Sequence, residues 1–170
     1  MGEYNFSWDM LGDMQLGRPN LGLATTVEIY RLMQYTMKAV LEKDFGSEIT
    51  NEIFVKAGKL AGTEYCKHFL DVSLPMNSFI AQLNQLFVEQ GIGVFRVEKL
   101  DSLNLDLVVT LSEDLDCSGL PVSDNTVCDY DEGFFSGIFC QYTGKEFDVK
   151  EIDCWATGDR TCRFTIRQKK

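Results

Sequence analysis

Three residues near the C-terminus, Glu151, Cys154 and Cys162, have the types and spacing of metal ligands. Together with Cys128 they supply three thiolates and one carboxylate, a set that suits the tetrahedral shell of zinc. Four protein ligands leave no open position, so such a site is structural rather than catalytic. Two other interpretations stay open: cysteines that only fill a core, and a cross-strand disulfide. Cys117 competes for the first or fourth position of the set.

A β-hairpin must bring the last three of these residues together. The pattern predicts strands over residues 146–155 and 161–167, joined by a turn that contains a Gly-Asp pair. This turn places Cys154 and Cys162 opposite each other on one face of the sheet. Glu151 has the wrong parity for that face, so the hairpin requires a bulge or twist just after Glu151.

Cys128 directly precedes a predicted helix that begins at Asp129 or Asp131 and stops at Gly144. Free backbone amides and the helix dipole favour a thiolate at that position. We expect the acidic residues of the first turn, which include Glu132, to stabilise the helix start rather than to act in acid–base chemistry. The predicted inward face consists of Phe135, Ile138, Phe139 and Tyr142.

The remaining elements precede this region and are helical first, then extended. The fold class predicted is α+β, with N-terminal helices packed on an antiparallel sheet of about four strands and a helix before the last hairpin. We expect one domain over residues 1–170, of which residues 1–24 form an N-terminal arm. The earlier elements are a helix after Thr25 or Thr26, a helix from Ser47 or Thr50, a helix from Pro75, and strands over residues 94–100 and 105–111.

Two helix faces bear on packing and on partners. Gly58 and Gly62 lie one turn apart on the second helix and allow another backbone to approach closely. The predicted inner face of that helix consists of Ile49, Ile53, Ala57, Leu60 and Ala61. The first helix carries an apolar stripe that is either core or a dimer face: Tyr30, Met33, Met37 and Val40.

Composition narrows the function classes. The chain has a formal net charge of −10, which disfavours nucleic acid and an anionic membrane surface as partners. We find no transmembrane run and no secretory signal, so we expect a cytoplasmic protein whose cysteines are thiols or ligands.

Other candidate chemistry is sparse. His68 is the only histidine, and near a helix end it is either a capping or surface group or a hydrogen-bonding group of a pocket. Core packing is the better interpretation of Cys66 and Cys140. We predict no catalytic residue, because neither a nucleophile–base pair nor a glycine-rich nucleotide motif can be read from the sequence.

At this point the C-terminal motif resembles the 4-vinyl-reductase domain family. That family combines a cysteine before a glycine-containing helix with a V-x-E-x-x-C strand, a Gly-Asp turn and a final C-x-F. The segments VEIYRLMQYTMKAVLEK and AGKLAG resemble the N-terminal helices of its free-standing prokaryotic members. The motif residues present, in order, are Cys128, Gly133, Gly137, Val149, Glu151, Cys154, Gly158, Asp159, Cys162 and Phe164.

The resemblance implies the α+β fold of haem-NO-binding-like and Golgi-tethering small-subunit proteins. It also implies a structural zinc bound by the four residues named first, as in the sensor domain of aromatic-responsive regulators, a homodimer, and an internal pocket for a small hydrophobic ligand. The polar residues with which those regulators grip phenols have no clear match, because Phe79 and Leu107 stand in the corresponding stretches. The pocket candidates are Tyr65, His68, Phe79, Leu83, Phe135, Phe139 and Trp155.

Three functional hypotheses follow. The first is a zinc-stabilised, dimeric sensor or carrier of a hydrophobic small molecule. The second is a reductase component that acts on a tetrapyrrole vinyl group, and the third is a dimeric protein-interaction scaffold. An enclosed apolar cavity or a co-purified ligand favours the first, whereas a filled core with a large apolar surface patch favours the third.

Overall fold

The computed structural model describes residues 5–101 and 103–169. The chain divides after Ala39 into two compact units. Residues 1–4 of the predicted arm lie outside the described residues. The helices are α1 (Met14–Gly17), α2 (Val27–Phe45), α3 (Ser47–Phe69), α4 (Met76–Glu89) and α5 (Asp129–Thr143), and the strands are β1 (Val94–Asp101), β2 (Asp106–Ser112), β3 (Phe147–Asp153) and β4 (Cys162–Gln168).

The N-terminal unit contains a short 3-10 helix, α1 and the larger part of α2. The predicted amphipathic helix is confirmed as α2. Its apolar stripe is largely exposed, because the side chains of Met33, Met37 and Val40 are 50–62% accessible. Val27, Ile29 and Leu32 of the same helix are exposed as well. The alternative that this stripe belongs to the core is therefore wrong for these side chains.

The C-terminal unit is built on one antiparallel sheet with strand order β1-β2-β4-β3. This confirms the predicted α+β class and the number of strands. The register shifts between Glu151 and Asp153, which confirms the bulge that the hairpin required. Fully buried aromatic and aliphatic side chains of the sheet meet those of α4 and α5 in the core: Phe79, Leu83, Phe87, Phe95, Leu107, Val109, Leu111, Phe135, Ile138, Phe139, Phe164 and Ile166.

The helices α3 and α5 cross with almost no side chain between them. A Cβ atom on Gly62 would lie 2.0 Å from the carbonyl oxygen of Phe134, and one on Gly133 would lie 2.0 Å from that of Val55. Gly58 on α3 and Gly137 on α5 show equally short approaches, at 2.0 and 2.2 Å. Only glycine allows backbones to come this close.

This crossing overturns the predicted inner face of α3. Ile49 and Leu60 are 51% and 47% exposed, and Ile53 and Ala57 are exposed too. The buried positions are instead Thr50, Phe54, the two glycines, Tyr65 and Cys66. Hydrophobicity misplaces the face because the contact is made by residues without side chains. Among the residues that the structure describes, no helix is long and apolar enough to cross a membrane.

Candidate metal centre

Four cysteine thiols meet at one end of the C-terminal unit. The Sγ atoms of Cys117, Cys128, Cys154 and Cys162 all lie within 4.8 Å of one another, and each residue is at most 1% exposed. Cys128 Sγ lies 3.8 Å from the Sγ atoms of both Cys154 and Cys162, and the sulfur atoms of Cys117 and Cys162 are 3.1 Å apart. No disulfide joins any of the six cysteines.

The final hairpin positions two of these thiols. Asp153 pairs with Arg163 across β3 and β4, so the next position outward places Cys154 opposite Cys162. A short 3-10 helix follows Cys154, and the turn ends at Gly158 with φ +100°. This left-handed conformation favours glycine and returns the chain to β4.

The other two thiols come from the segment between β2 and α5. Cys128 is the N-cap of α5, as the sequence predicted. Cys117 lies in a tight turn in which the Ser118 amide donates to the Asp114 carbonyl at 3.1 Å. The Sγ of Cys117 lies 3.5 Å from Asp114 Oδ2, which directs the thiol toward the hairpin.

Glu151 lies beside the four thiols but not among the four mutually close atoms. Its Oε2 accepts a hydrogen bond from the backbone amide of Cys128 at 3.2 Å, whereas Oε1 has no partner within the described part of the chain. Burial, together with the neighbouring Cys154, raises the pKa of Glu151 to about 8. The backbone amide of Glu151 donates to Glu132 Oε1 at 2.9 Å, and Glu132 pairs with Lys150 at 2.8 Å.

Two more carboxylates are buried next to the cluster. Asp114 and Asp131 are 2% and 6% exposed, and an oxygen of each lies within 4.8 Å of Cys128 Sγ. Burial raises the pKa of both side chains. The helix-start interpretation of Asp131 is thus incomplete, because its side chain is buried and close to a thiol.

The thiols share hydrogen bonds unequally. Hydrogen bonds from Cys117, Cys128 and Cys162 lower the pKa of Cys154, whereas those to Cys117 and Cys154 raise the pKa of Cys128. The cluster therefore favours a thiolate at Cys154, the form that binds metal. Tetrahedral Zn–S bonds of about 2.3 Å separate sulfur atoms by about 3.8 Å. Two of the measured distances already have this value, so the four thiols fit a zinc ion.

The predicted pocket residues do not all share one location. Phe79, Leu83, Phe135 and Phe139 lie in the central core at 0% exposure. Trp155 packs at its edge, and its indole nitrogen donates to the Leu120 carbonyl at 3.2 Å. His68 is on the surface, where its Nδ1 is 2.9 Å from the Glu64 carbonyl oxygen.

Tyr65 differs from the other pocket candidates. It is 7% exposed, and its hydroxyl has no hydrogen-bond partner within the described ranges. The rings of Phe69, Phe134 and Phe87 surround it, with centroids at 4.9, 5.3 and 5.7 Å. Phe69 is itself 40% exposed, so a single ring separates this hydroxyl from solvent on that side.

Sequence reasoning named Cys117 only as a competitor and missed Asp114 as a neighbour of the thiols. The available signal was the D-x-x-C spacing of Asp114 and Cys117 in a loop that leads to Cys128. A carboxylate three residues before a cysteine can hold a turn by bonding backbone amides. Asp114 does so, because its Oδ1 accepts from the Asp116 amide at 2.7 Å.

Comparison with known proteins gives a match to one family. Residues 107–168 match the 4-vinyl-reductase domain. Over 147 residues the chain is 25% identical to an uncharacterized protein of Methanocaldococcus jannaschii, and this match covers 86% of the chain and 80% of that protein. The family match confirms the resemblance of the C-terminal motif and includes all four cysteines of the cluster.

Two solved structures share the fold. The phenol-responsive sensory domain of the transcription activator PoxR, with phenol, superimposes with a TM-score of 0.67 at 15% identity over 86% of this chain and 76% of that one. Trafficking protein particle complex subunit 3 from Naegleria fowleri, covalently bound to palmitic acid, gives 0.69 at 12% identity over 85% and 95%. At these identities the similarity concerns the fold.

Proposed function

From the premise that residues 107–168 carry a 4-vinyl-reductase domain, we propose that this protein is a zinc-stabilised domain that binds a small hydrophobic molecule. The observation that carries the metal part is the cluster of four buried thiols. Cys117, Cys128, Cys154 and Cys162 hold the ion, and Glu151 orients the Cys128 backbone. Zinc supplies no reaction in this site. It links the start of α5 to the last hairpin.

Metal analysis of protein purified without a chelator tests this part. We expect at least one zinc per chain in the wild type and loss of that zinc in Cys154→Ser. Cys66→Ser is the matched control, because it removes a buried cysteine that lies outside the cluster. Wild-type protein that is folded and free of metal contradicts the proposal.

The ligand part of the proposal is supported by the Tyr65 hydroxyl. A buried hydroxyl without a partner is costly, and a ligand that accepts its hydrogen bond removes that cost. The surrounding Phe69, Phe87 and Phe134 rings suit an apolar or aromatic body. Two proteins of the same fold carry phenol and palmitic acid, which supports this ligand class.

Thermal-shift and calorimetric titration with phenol and with palmitic acid test the ligand class, and mass spectrometry of the native protein detects a co-purified molecule. We expect Tyr65→Phe to weaken binding by about tenfold, which corresponds to one hydrogen bond. Tyr142→Phe is the control, because the Tyr142 hydroxyl already donates to the Leu74 carbonyl at 2.8 Å. Equal affinity in wild type and Tyr65→Phe removes this hydroxyl from the site.

A second candidate function, a dimeric interaction scaffold, is favoured by the exposed apolar face of α2. Met33, Met37 and Val40 lie on that face, and exposed apolar surface of this kind marks association sites. We propose that α2 forms a homodimer contact, with or without a ligand. The cytoplasm is the compartment we propose, because a cluster of free thiols that binds metal suits a reducing environment. The reductase alternative stays a prediction.

The oligomeric state tests the role of α2. Light scattering of the wild type should give the mass of a dimer, and Met33→Glu with Met37→Glu should give a monomer. Met10→Glu is the matched control, because Met10 is 51% exposed and lies outside α2. A monomeric wild type at micromolar concentration overturns the dimer.

A further inference from the structure

Cys128 belongs to a second group of potential metal ligands. Its Sγ and one carboxylate oxygen each from Asp114 and Asp131 lie within 4.8 Å of one another, and all three residues are buried. Asp114 precedes the Cys117 turn, and Asp131 lies in the first turn of α5. The group therefore lies on the α5 side of the four thiols and shares one sulfur atom with them.

The Asp131 carboxylate is the unusual member of this group. It is only 6% exposed, and its Oδ2 has no hydrogen-bond partner in the described part of the chain. A buried carboxylate oxygen without a partner is strongly unfavourable unless a cation or a donor satisfies it. Its nearest neighbours in the group, a thiol and another carboxyl, are both acidic.

The charge of the region points in the same direction. Four thiolates around one Zn²⁺ leave a net charge of −2, to which Asp114 and Asp131 add more negative charge in a buried volume. Like charges repel strongly where water is excluded. Lys150 is the cation recorded on this side of α5, and it pairs with Glu132 at 2.8 Å.

We propose that Asp114, Cys128 and Asp131 bind a second divalent transition-metal ion, with the Cys128 thiolate bridging the two ions. This inference rests on the zinc ion of the proposed function. A mixed set of two carboxylates and one thiolate suits zinc or iron(II) rather than magnesium or calcium. Protein sites with two metals place the ions about 3.5–4 Å apart. Three protein ligands leave a position for water, so this ion, unlike the first, has an open coordination site.

Zinc titration of the full chain, followed by metal analysis after gel filtration, tests the proposal. We expect two zinc ions per chain in the wild type and one in Asp131→Asn. Asp114→Asn should lose the same ion, which provides a second variant if one of them folds poorly. Asp116→Asn is the matched control, because Asp116 is 4% exposed in the same segment but lies outside the group, and it should retain two.

Thermal melting gives a readout that does not depend on counting metal. In the wild type, a second equivalent of zinc should raise the melting temperature beyond the effect of the first, whereas in Asp131→Asn it should not. One zinc per saturated wild-type chain overturns the second site and leaves the first intact. A wild type without zinc overturns both, and two ions retained in both Asn variants overturn the ligand assignment.

Discussion

The two ends of the contact surface of α5 are held by different physics. Its N-terminal end, at Cys128, is fixed by thiols and carboxylates that are buried without enough positive charge among the recorded side chains. Its middle crosses α3 through glycines, at backbone distances that no side chain tolerates. The first arrangement depends on a cation from solution, whereas the second depends only on the residues that are missing a side chain. Stability of one helix should therefore respond to metal at one end and to added volume at the other.

The largest expected effect comes from removing the metal. At free zinc 1,000-fold above its Kd, linkage contributes about 4 kcal/mol to the free energy of unfolding, and a strong chelator removes that contribution. Denaturant unfolding with and without chelator measures the difference. Hydrogen exchange should show lost protection at β3, β4 and the first turn of α5, with the crossing retained. Equal free energies of unfolding in both conditions would contradict a structural metal.

Added volume at the crossing should have the next largest effect. Gly133→Ala places a Cβ atom 2.0 Å from a backbone oxygen, so the helices must separate, and we expect a loss of about 3 kcal/mol. Gly17→Ala is the control, because a Cβ there meets nothing within 4 Å and should change stability by less than about 0.5 kcal/mol. Folded Gly133→Ala should retain its metal content. A loss as small as that of the control would show that the two helices are not in tight contact.

The identity of the fourth ligand distinguishes the two metal sets. We expect Cys117→Ser to raise the zinc Kd by about 100-fold, equivalent to about 2.7 kcal/mol. Glu151→Gln keeps an acceptor for the Cys128 amide, so we expect a rise of only about tenfold. Competition with a chelator of known affinity measures both. Cobalt substitution reports the number of thiolates through the intensity of the sulfur-to-cobalt absorption. The opposite ranking would return Glu151 to the first coordination shell.

Sequence patterns predicted the elements better than their contacts. The last hairpin followed from alternation and a turn, and even its bulge followed from the parity of Glu151. The buried face of α3 did not, because its contact consists of Gly58 and Gly62, which carry no hydrophobic signal. The hydrophobic pattern therefore pointed to Ile49 and Leu60, which are exposed.

The metal ligands divide in the same way. Cys128, Cys154 and Cys162 were predictable, because their positions are fixed by a helix start and a hairpin whose geometries are regular. Cys117 and Asp114 lie in the irregular segment between β2 and α5, where neither a period nor a register relates position to direction. Their approach to the thiols depends on long-range packing that only the folded chain reveals.

The smallest effect concerns Tyr65, which packs on Phe134 of the α5 middle and carries a buried polar atom without a partner in the described part of the chain. Removing the hydroxyl in Tyr65→Phe should stabilise the ligand-free protein by about 1 kcal/mol at neutral pH. Tyr142→Phe loses a made hydrogen bond and should destabilise by a similar amount.

The pH dependence sharpens this last test. Burial, with a contribution from Glu89, raises the pKa of Tyr65 well above the value of about 10 that tyrosine has in an unfolded chain. A raised folded-state pKa means that the stability held below pH 10 is lost as the pH rises beyond about 10, because the unfolded state releases the proton first. The wild type should therefore lose stability more steeply in this range than Tyr65→Phe. Chemical unfolding at several alkaline pH values measures both slopes, and parallel slopes would place the Tyr65 hydroxyl in contact with water or a ligand rather than in a dry aromatic surround.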